Sequence, residues 1–417
     1  MRLRHFLPLF LSALLLQGCA SVPAAREAPP IVLLVSIDAF HPRYLDAGLA
    51  PNLARLAREG VRAEWMNPSY PSLTFPNHYT LVTGLRPDRH GIVHNTMRDE
   101  SLGGFRLSDR HAVGNGAWWG GEPIWIGAQK AGLRSATMFW PGSEAEIDGM
   151  RPTHWKPFDY AVPFDTRVDQ LVAWLDVPAA RQPQLATLYF EKVDKAAHET
   201  GPDSAQTRAA IVETDAAIGR LLRRLAARGL LDRTNLIVVS DHGMATVAPG
   251  HAIAVEDMVP PADATVVSIG QSIGIAPQPG RKAQVEARLL GAHPQYDCWR
   301  KGELPVRWDY GSHPRIPPIV CQMHEGWDAL PRAVLEQRPK EGTRGSHGFD
   351  PALPSMRALF IAHGPAFHSG VVLPPFDNVD VYPLLAQLLG IRPAANDGDP
   401  GRLLPALRPG VAATHAD

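Results

Sequence analysis

Continuous apolar runs alternate along the chain with segments that carry helix signals. The apolar runs lie at 31–37, 134–140, 185–193, 235–240 and 356–362. Apolar runs without polar alternation predict strands that are covered on both faces. Helix-type patterns lie at 51–59, 122–131, 165–175, 204–228 and 379–389. Strands that alternate with helices predict an α/β fold, built on a doubly wound and mostly parallel sheet.

The first thirty residues are typical of an export signal. A basic start precedes an apolar stretch, Phe6–Leu16, which is too short to span a bilayer. The next residues resemble a bacterial lipoprotein cleavage box and predict that Cys19 is lipidated, with 1–19 as signal peptide and 20–30 as tether. Gln17 is unusual in such a box, so ordinary signal cleavage remains the alternative. Either route predicts an exported protein, which is periplasmic or anchored in the membrane by its lipid.

The alternating pattern weakens in one long segment, 262–340, where proline, glycine and tryptophan are frequent. We interpret this segment as a small subdomain inserted beside the sheet. The catalytic domain would then combine 31–261 and 341–400, with 401–417 as a C-terminal tail. The inserted segment also holds an even pair of cysteines in a chain predicted to be exported, which favours a disulfide between Cys298 and Cys321.

The charge of the chain bears on its partners. The net charge is −1 and the pI is near 7.0. No basic field therefore exists to attract nucleic acid or anionic lipid. An anionic substrate must be held locally, by metal ions or by helix ends.

Thr74 lies where a helix is predicted to begin. Prolines interrupt the chain before and after it, an apolar run follows over 79–82, and Pro76 suits the first helical position. The free N–H groups and the dipole of a helix N-terminus favour negative charge. A hydroxyl held there is well placed to become a nucleophile or to carry a phosphoryl group. For Thr74 alone, a helix N-cap is the structural alternative.

Acidic and histidine side chains follow three of the predicted strands. They are Asp38, Asp194 with His198, and Asp241 with His242, and a later loop adds His347. Open α/β sheets bind ligands at the carboxyl ends of their strands, so we expect these groups to converge beside Thr74. Asp194 and His198 share one face if the chain turns helical after its strand. Taken singly, each residue has a structural alternative, such as Asp194 capping a turn.

Carboxylate and imidazole groups without thiolate suit Zn²⁺ or a similar first-row divalent ion. These groups together with Thr74 are too many for one tetrahedral ion and enough for two. Two ions roughly 4 Å apart can hold the attacking and leaving oxygens of a phosphoryl group during in-line displacement. One ion would activate the Thr74 hydroxyl, and Asn95 would donate a hydrogen bond to the phosphate oxygens. Four further histidines are expected to be structural, namely His78, His90, His94 and His363.

Five short segments carry a family resemblance. They are Thr74–Gly84, His90–Asn95, Ser240–Met244, Gly345–Phe349 and Asn378–Leu384. Together they resemble the nucleotide pyrophosphatase/phosphodiesterase family of the alkaline phosphatase superfamily. The resemblance runs from about Ile31 to Arg392 and implies a sheet of the alkaline phosphatase type.

The resemblance also implies roles for individual residues. One zinc site corresponds to Asp38, Thr74, Asp241 and His242, and the other to Asp194, His198 and His347. Thr74 matches the family nucleophile, and Asn95 matches the donor to the phosphate oxygens. Phe75 and Tyr189 match positions that sandwich a nucleobase in members acting on nucleotides, with ordinary core packing as the alternative.

The chain departs from the family pattern at one ligand pair. The family usually has Pro-Asp, two residues, and then Gly-His, whereas this chain has Val193-Asp-Lys-Ala-Ala-His198. Both ligands are kept. The departure therefore bears on substrate choice more than on metal binding.

These observations predict a phosphodiesterase with two zinc ions per chain, which releases a nucleoside 5′-monophosphate from nucleotide diesters or pyrophosphates through a phosphothreonine. One alternative keeps the same site but acts on lipid headgroup or other non-nucleotide diesters, or on monoesters. A second alternative is a surface lipoprotein that keeps the metals only as structure. Sulfatase activity is not expected, because no cysteine occupies the nucleophile position. The oligomeric state is left open.

Overall fold

An eight-stranded sheet forms the centre of the computed structural model, which describes residues 29–339 and 341–411. From one edge to the other, its strands are Val371–Leu373, Val61–Ala63, Phe360–His363, Thr234–Val239, Ile31–Ile37, Leu185–Phe190, Ser135–Met138 and His154–Lys156. Within this sheet, Phe360–His363 runs antiparallel to the other strands, which are parallel to one another. The predicted α/β fold with a mostly parallel sheet is confirmed.

Side chains of the central strand Ile31–Ile37 enter two different apolar cores. Val32 and Leu34 pack in a core that also contains residues of the helices Thr74–Thr83 and Val381–Leu389. The alternate apolar residues of the strand pack on the opposite face, with residues of the helices Pro51–Glu59, Phe164–Leu175 and Ala205–Ala226. Because both faces are buried, the strand shows no polar alternation in its sequence.

The α-helices follow the strands along the chain. In the described residues they are Arg43–Asp46, Pro51–Glu59, Thr74–Thr83, Pro87–His90, Arg110–Val113, Ile124–Lys130, Phe164–Leu175, Lys192–Thr200, Ala205–Ala226, Val255–Met258, Lys282–Leu289, Arg332–Gln337 and Val381–Leu389. None of the helices in these residues has the length and apolar character needed to cross a membrane.

One strand ends earlier than its apolar pattern predicts. The pattern extends to Val193, but the strand ends at Phe190 and the helix Lys192–Thr200 follows. Val193 is fully buried in the core on that face of the sheet, so its apolar character reflects helix packing. Two other predicted strands are also shorter in the structure, at Ser135–Met138 and Phe360–His363.

A separate antiparallel sheet lies inside the segment interpreted as an insertion. Its strands, in spatial order, are Ala264–Ser268, Ser272–Pro277, Ile319–Met323, Tyr296–Arg300 and Gly291–Ala292. Cys298 and Cys321 lie opposite each other on neighbouring strands and form a disulfide. Three further strand pairs are Met66–Asn67 with Phe376–Asp377, Thr96–Asp99 with Gly103–Arg106, and Ala252–Ala254 with Asp328–Leu330.

One more strand pair joins the chain before the insertion to the chain after it. Ala245–Val247 pairs antiparallel with Arg344–Ser346. His242 precedes the first of these strands and His347 follows the second. In an antiparallel pair these two positions lie at the same end, so two histidines that are distant in sequence become neighbours.

Some sequence predictions concern residues outside 29–339 and 341–411. The signal peptide 1–19, its Cys19 and most of the tether 20–30 lie outside the described residues, as does the end of the tail 401–417. The bounds 31–261 and 341–400 of the catalytic domain stay predictions.

Candidate active site

Thr74 is the first residue of the helix Thr74–Thr83, and the extended Leu73 precedes it. Its hydroxyl Oγ1 lies 3.3 Å from Nε2 of His242. The N-cap residue of this helix is Leu73, and no side chain caps the helix start. Thr74 is therefore not an N-cap, and its hydroxyl contacts His242 instead. The hydroxyl is therefore held at a helix N-terminus and directed at a predicted metal ligand.

The predicted metal ligands converge beside Thr74. Ligand atoms of Asp38, Asp241 and His242 lie within 4.8 Å of one another, and so do those of Asp194, His242 and His347. His198 joins the second group, with Nε2 at 3.4 Å from Oδ1 of Asp194. His242 belongs to both groups, and its ring is stacked on that of His347 at a centroid distance of 3.6 Å. The predicted assignment of the ligands to two separate sets stays a prediction.

Three buried carboxylate oxygens at the centre of this cluster accept no hydrogen bond of normal geometry from residues 29–339 and 341–411, although imidazole nitrogens lie 3.0 to 3.5 Å from them. They are Oδ1 of Asp38, Oδ1 of Asp194 and Oδ2 of Asp241. A buried polar atom without a partner is costly, and a buried charge without a counter-charge is more so. Bound cations would satisfy all three atoms, so the cluster fits the divalent ions that its ligand types suggest.

Each histidine of the cluster is oriented by a backbone carbonyl. Nδ1 of His198 donates to Gly345 O at 3.0 Å, Nδ1 of His242 to Gly243 O at 2.9 Å, and Nδ1 of His347 to Ser72 O at 2.9 Å. Because a carbonyl can only accept, Nδ1 carries the proton and Nε2 offers its lone pair. This is the tautomer that a metal ligand needs, fixed by its outer hydrogen bond.

Three aspartates lie close together in a buried region, and their surroundings shift their pKa values. Burial raises the pKa of Asp38 well above its usual value, and the charges of Asp241 and Asp194 raise it further. Burial also raises the pKa of Asp194. Burial opposes ionisation of Asp241 too, but the charges of His242 and His78 outweigh it and hold the pKa of Asp241 well below its usual value. A cluster with these properties favours bound cations.

His78 supports the cluster without being one of the predicted ligands. It lies four residues after Thr74 on the same helix and is fully buried. Its Nδ1 lies 2.9 Å from Thr74 O and 3.2 Å from Oδ2 of Asp241, and its Nε2 lies 2.8 Å from Ser36 Oγ. Sequence reasoning classed His78 as structural and missed this contact with Asp241. The i, i+4 spacing from Thr74 was the available signal.

The other histidines that were expected to be structural lie in packed surroundings. Nε2 of His90 lies 3.1 Å from Thr80 Oγ1, and Nε2 of His94 lies 3.1 Å from Ser272 O. His363 ends the strand Phe360–His363 and is partly buried.

Asn95 is oriented by the residue after Thr74. The backbone N–H of Phe75 donates to Oδ1 of Asn95 at 3.0 Å. Since this oxygen accepts from an N–H, the other side of the amide is the NH₂ donor. Asn95 lines the same cavity as Thr74, and the structure leaves its donor for a ligand oxygen.

A cavity of about 440 Å³ opens beside Thr74 and is lined by Asp38, Asp194, His198, His347, Phe75 and Asn95. Its opposite parts are aromatic, with Phe139, Trp140, Phe158 and Tyr160. Tyr160 is 63% exposed, although it is large and largely apolar. Sequence reasoning missed Phe158 and Tyr160. Two aromatic residues within three positions of a proline-containing loop were the available signal.

Tyr189 lines the cavity but is mostly buried. Its hydroxyl donates to Oδ2 of Asp38 at 2.5 Å, and its ring packs edge-on against His78 and Phe158. Its predicted contact with a nucleobase stays a prediction. Phe158, whose ring packs edge-on against Tyr189, is a further aromatic residue that lines the same cavity as Phe75.

The sequence is similar to known phosphodiesterases. The model of the family described as type I phosphodiesterase / nucleotide pyrophosphatase matches residues 32–350. A venom phosphodiesterase of Crotalus durissus collilineatus is 36% identical over 406 residues, which cover 93% of this chain and 47% of that protein. Ectonucleotide pyrophosphatase/phosphodiesterase family member 3 of Rattus norvegicus is 34% identical over 413 residues, which cover 93% and 45%. The chain thus spans about half the length of these curated relatives.

The structure is also similar to solved structures. Murine ectonucleotide pyrophosphatase / phosphodiesterase 5 superposes with a TM-score of 0.85 at 33% identity, covering 91% of this chain and 100% of that chain. An inactive variant of the same murine protein, in complex with AMP, superposes with a TM-score of 0.85 at 32% identity. The family match over most of the chain, together with these relatives, identifies the chain as a member of the type I phosphodiesterase / nucleotide pyrophosphatase family.

Proposed function

We propose that this protein is a zinc-dependent phosphodiesterase, which releases a nucleoside 5′-monophosphate from nucleotide diesters or pyrophosphates by way of a phosphothreonine at Thr74. The observation that carries the proposal is the Thr74 hydroxyl, held at a helix N-terminus 3.3 Å from His242 and beside the three buried carboxylate oxygens of the cluster. The relatives named as phosphodiesterases support the reaction class.

The ligand groups fit two divalent ions. Zinc ions held by Asp38, Thr74, Asp241 and His242 on one side, and by Asp194, His198 and His347 on the other, would supply the positive charge that lowers the pKa of the Thr74 hydroxyl and offsets the charge of the phosphoryl oxygens. His78 and Tyr189 hold Asp241 and Asp38 in the orientation that this requires.

Thr74 and Asn95 carry the chemistry of the chain itself. The Thr74 hydroxyl loses its proton to water and Oγ1 attacks phosphorus, the bond from phosphorus to the leaving oxygen breaks, and the leaving group takes the electron pair. The NH₂ of Asn95 donates to a phosphoryl oxygen as its charge grows. Water then attacks the phosphothreonine, which returns the Thr74 hydroxyl and releases the nucleoside 5′-monophosphate.

The aromatic cavity favours a nucleoside over a small alcohol as the group that stays bonded to phosphorus after the leaving group departs. Phe75 lies beside Thr74, and Phe158 and Tyr160 line the same cavity, so a planar base has aromatic faces to contact. The complex of the murine relative with AMP supports a nucleotide ligand for this chain. A lipid diester or a monoester would use the same Thr74 but would leave these faces without a partner.

Export is part of the proposal. The disulfide between Cys298 and Cys321 suits an oxidising compartment, and the relatives named as venom and ectonucleotide enzymes support an exported protein. We propose that the leader directs export and that Cys19 anchors the protein to the membrane. Metabolic labelling with a lipid precursor, compared between wild type and Cys19→Ser, tests this anchor, and equal labelling of both would rule it out.

The activity is tested by comparing Thr74→Ala with wild type on the p-nitrophenyl ester of thymidine 5′-monophosphate and on p-nitrophenyl phosphate. We expect wild type to prefer the nucleotide diester, and Thr74→Ala to lose turnover by a factor of at least about a thousand while keeping its zinc. Thr83→Ala is the matched control, because the Thr83 hydroxyl donates to Tyr79 O within the same helix. Turnover like that of wild type in Thr74→Ala would remove Thr74 from the mechanism, and a preference for the monoester would favour the alternative substrate class.

A further inference from the structure

Lys195 is a cationic side chain in the active-site cavity that pairs with no acidic group among the residues that the structure describes. It follows Asp194 on the helix Lys192–Thr200, is exposed, and lines the same cavity as Thr74 and His198. Its ammonium lies 5.9 Å from the ring centroid of Tyr160 and makes no ion pair or hydrogen bond with any residue in 29–339 or 341–411.

The other charged groups of the cavity wall already have partners. Arg110 pairs with Glu144, and Glu191 pairs with the buried Arg167. The carboxylate of Asp159 accepts the backbone N–H of Ala161 at 2.8 Å. Outside the predicted ligand groups, Lys195 is therefore the cationic side chain of this wall that is left to meet an anionic ligand.

The helix that carries Lys195 also carries the ligands that we assign to the side of the departing oxygen. Thr74 contacts His242, which lies in both ligand groups and which the family resemblance assigns to the set with Asp38 and Asp241. Lys195 is on the helix that supplies Asp194 and His198 to the other group. An in-line displacement places the departing oxygen on the far side of phosphorus from the attacking one, with one metal group at each end. Because Lys195 shares a helix with Asp194 and His198, it would face the departing oxygen if these two ligands stand at that end.

We propose that Lys195 binds the anionic part of the leaving group, and so favours nucleotide pyrophosphates, such as nucleoside triphosphates, over diesters whose leaving group carries no charge before the bond to phosphorus breaks. This inference rests on the proposed function. As Thr74 Oγ1 forms its bond to the α-phosphorus, the bond to the bridging oxygen breaks and pyrophosphate departs with the electron pair. The ammonium of Lys195 donates hydrogen bonds to the oxygens of that pyrophosphate.

Two substrates with the same nucleoside and different leaving groups test the proposal. They are thymidine 5′-triphosphate, which loses pyrophosphate, and the p-nitrophenyl ester of thymidine 5′-monophosphate, which loses nitrophenolate. For Lys195→Gln in the purified full-length protein, we expect the ratio of kcat/KM for the triphosphate to kcat/KM for the ester to fall about tenfold. Lys195→Arg keeps a cationic donor, and we expect its ratio to stay within about threefold of wild type.

Lys192→Gln is the matched control. Lys192 lies on the same helix but pairs with Glu213 and does not line the cavity, so its removal leaves the ratio unchanged. If Lys195→Gln lowers kcat/KM equally for both substrates, Lys195 contacts the shared thymidine 5′-phosphoryl part and the proposal is overturned while the proposed function stands. An unchanged ratio with full activity overturns it as well. If wild type hydrolyses neither substrate, the proposed function fails and this inference fails with it.

Discussion

The hydroxyl of Tyr189 donates a hydrogen bond to Oδ2 of Asp38 across two neighbouring strands of the central sheet. The parallel register pairs Tyr189 with Ser36, two residues before Asp38. Burial raises the pKa of Tyr189 well above its usual value, and the charge of Asp38 raises it further, so the hydroxyl stays a donor at physiological pH. Tyr189 on the strand Leu185–Phe190 therefore orients the carboxylate of Asp38, which follows the neighbouring strand Ile31–Ile37.

We expect Tyr189→Phe to weaken metal binding more than it changes the cavity. The substitution keeps the ring and removes the donor, so Asp38 loses a hydrogen bond that orients it. Loss of an outer hydrogen bond to a metal ligand costs about 10- to 100-fold in metal affinity. Competition with a fluorescent zinc chelator measures the affinity.

Tyr79→Phe is the control for Tyr189→Phe. Tyr79 is also fully buried, but its hydroxyl has no hydrogen-bond partner within the described chain. Its removal should leave zinc affinity unchanged. Equal zinc affinity in Tyr189→Phe and wild type would contradict the orienting role of Tyr189.

Asn95→Asp should lower turnover without unfolding the site. A carboxylate can still accept the N–H of Phe75, but it cannot donate to a phosphoryl oxygen and it adds repulsion. Removing one such donor costs about 10²- to 10³-fold in kcat. Steady-state kinetics on the nucleotide ester and zinc content together check this. A variant with near-normal kcat would exclude Asn95 as the donor.

Metal removal should destabilise the protein in a way that depends on pH. Asp38 and Asp194 have raised pKa values in the metal-free fold, so their contribution to stability is present below about pH 3.9, the usual value of Asp, and is lost as pH rises through the raised values. At pH 7.5 we expect a strong chelator to lower the Tm by about 10 °C, if free zinc had been near a thousand times the Kd of each of the two sites. Calorimetry with and without chelator measures the shift.

Asp241→Asn provides the comparison for metal removal. It removes one ligand charge from the cluster, so the chelator should shift its Tm less than that of wild type. A wild-type Tm that does not respond to chelation would count against metal ions in the folded protein.

Asp380 should make the free energy of unfolding fall as pH rises from about 4 to about 6. Burial raises the pKa of Asp380 to about 6. Because this folded value exceeds the unfolded value, the stabilising term is present at low pH and is lost as pH rises through about 6. Asp380→Asn keeps an acceptor for the backbone N–H of Asp399, which lies 2.7 Å from Oδ1 of Asp380, but it does not titrate.

Urea unfolding of wild type and Asp380→Asn at pH 5 and pH 7.5 measures this effect. We expect wild type to lose about 1 kcal/mol relative to the variant between these two values. Since both proteins carry the same metal groups, other pH effects cancel in the difference. Parallel pH dependences of the two proteins would contradict the raised pKa.

Several parts of the site followed from local sequence. Apolar runs such as Ile31–Ile37 predicted the buried strands, because a strand covered on both faces has no polar positions. The acids and histidines after those runs predicted a cluster at one sheet edge, because parallel strands end on the same side. The helical spacing of Asp194 and His198 is confirmed by the helix Lys192–Thr200.

Other parts depended on which segments become neighbours, and local periodicity does not encode that. The pattern could not assign Val193 to a helix, because an apolar residue is buried equally well from a helix or a strand. The contacts of Tyr189 with Asp38 and of His78 with Asp241 depend on strand register and helix placement. The sequence by itself determined which side chains could bind metal and attack phosphorus. Only the tertiary structure decided their outer hydrogen bonds and the free charge at Lys195, because these depend on distances between segments that are far apart in the chain.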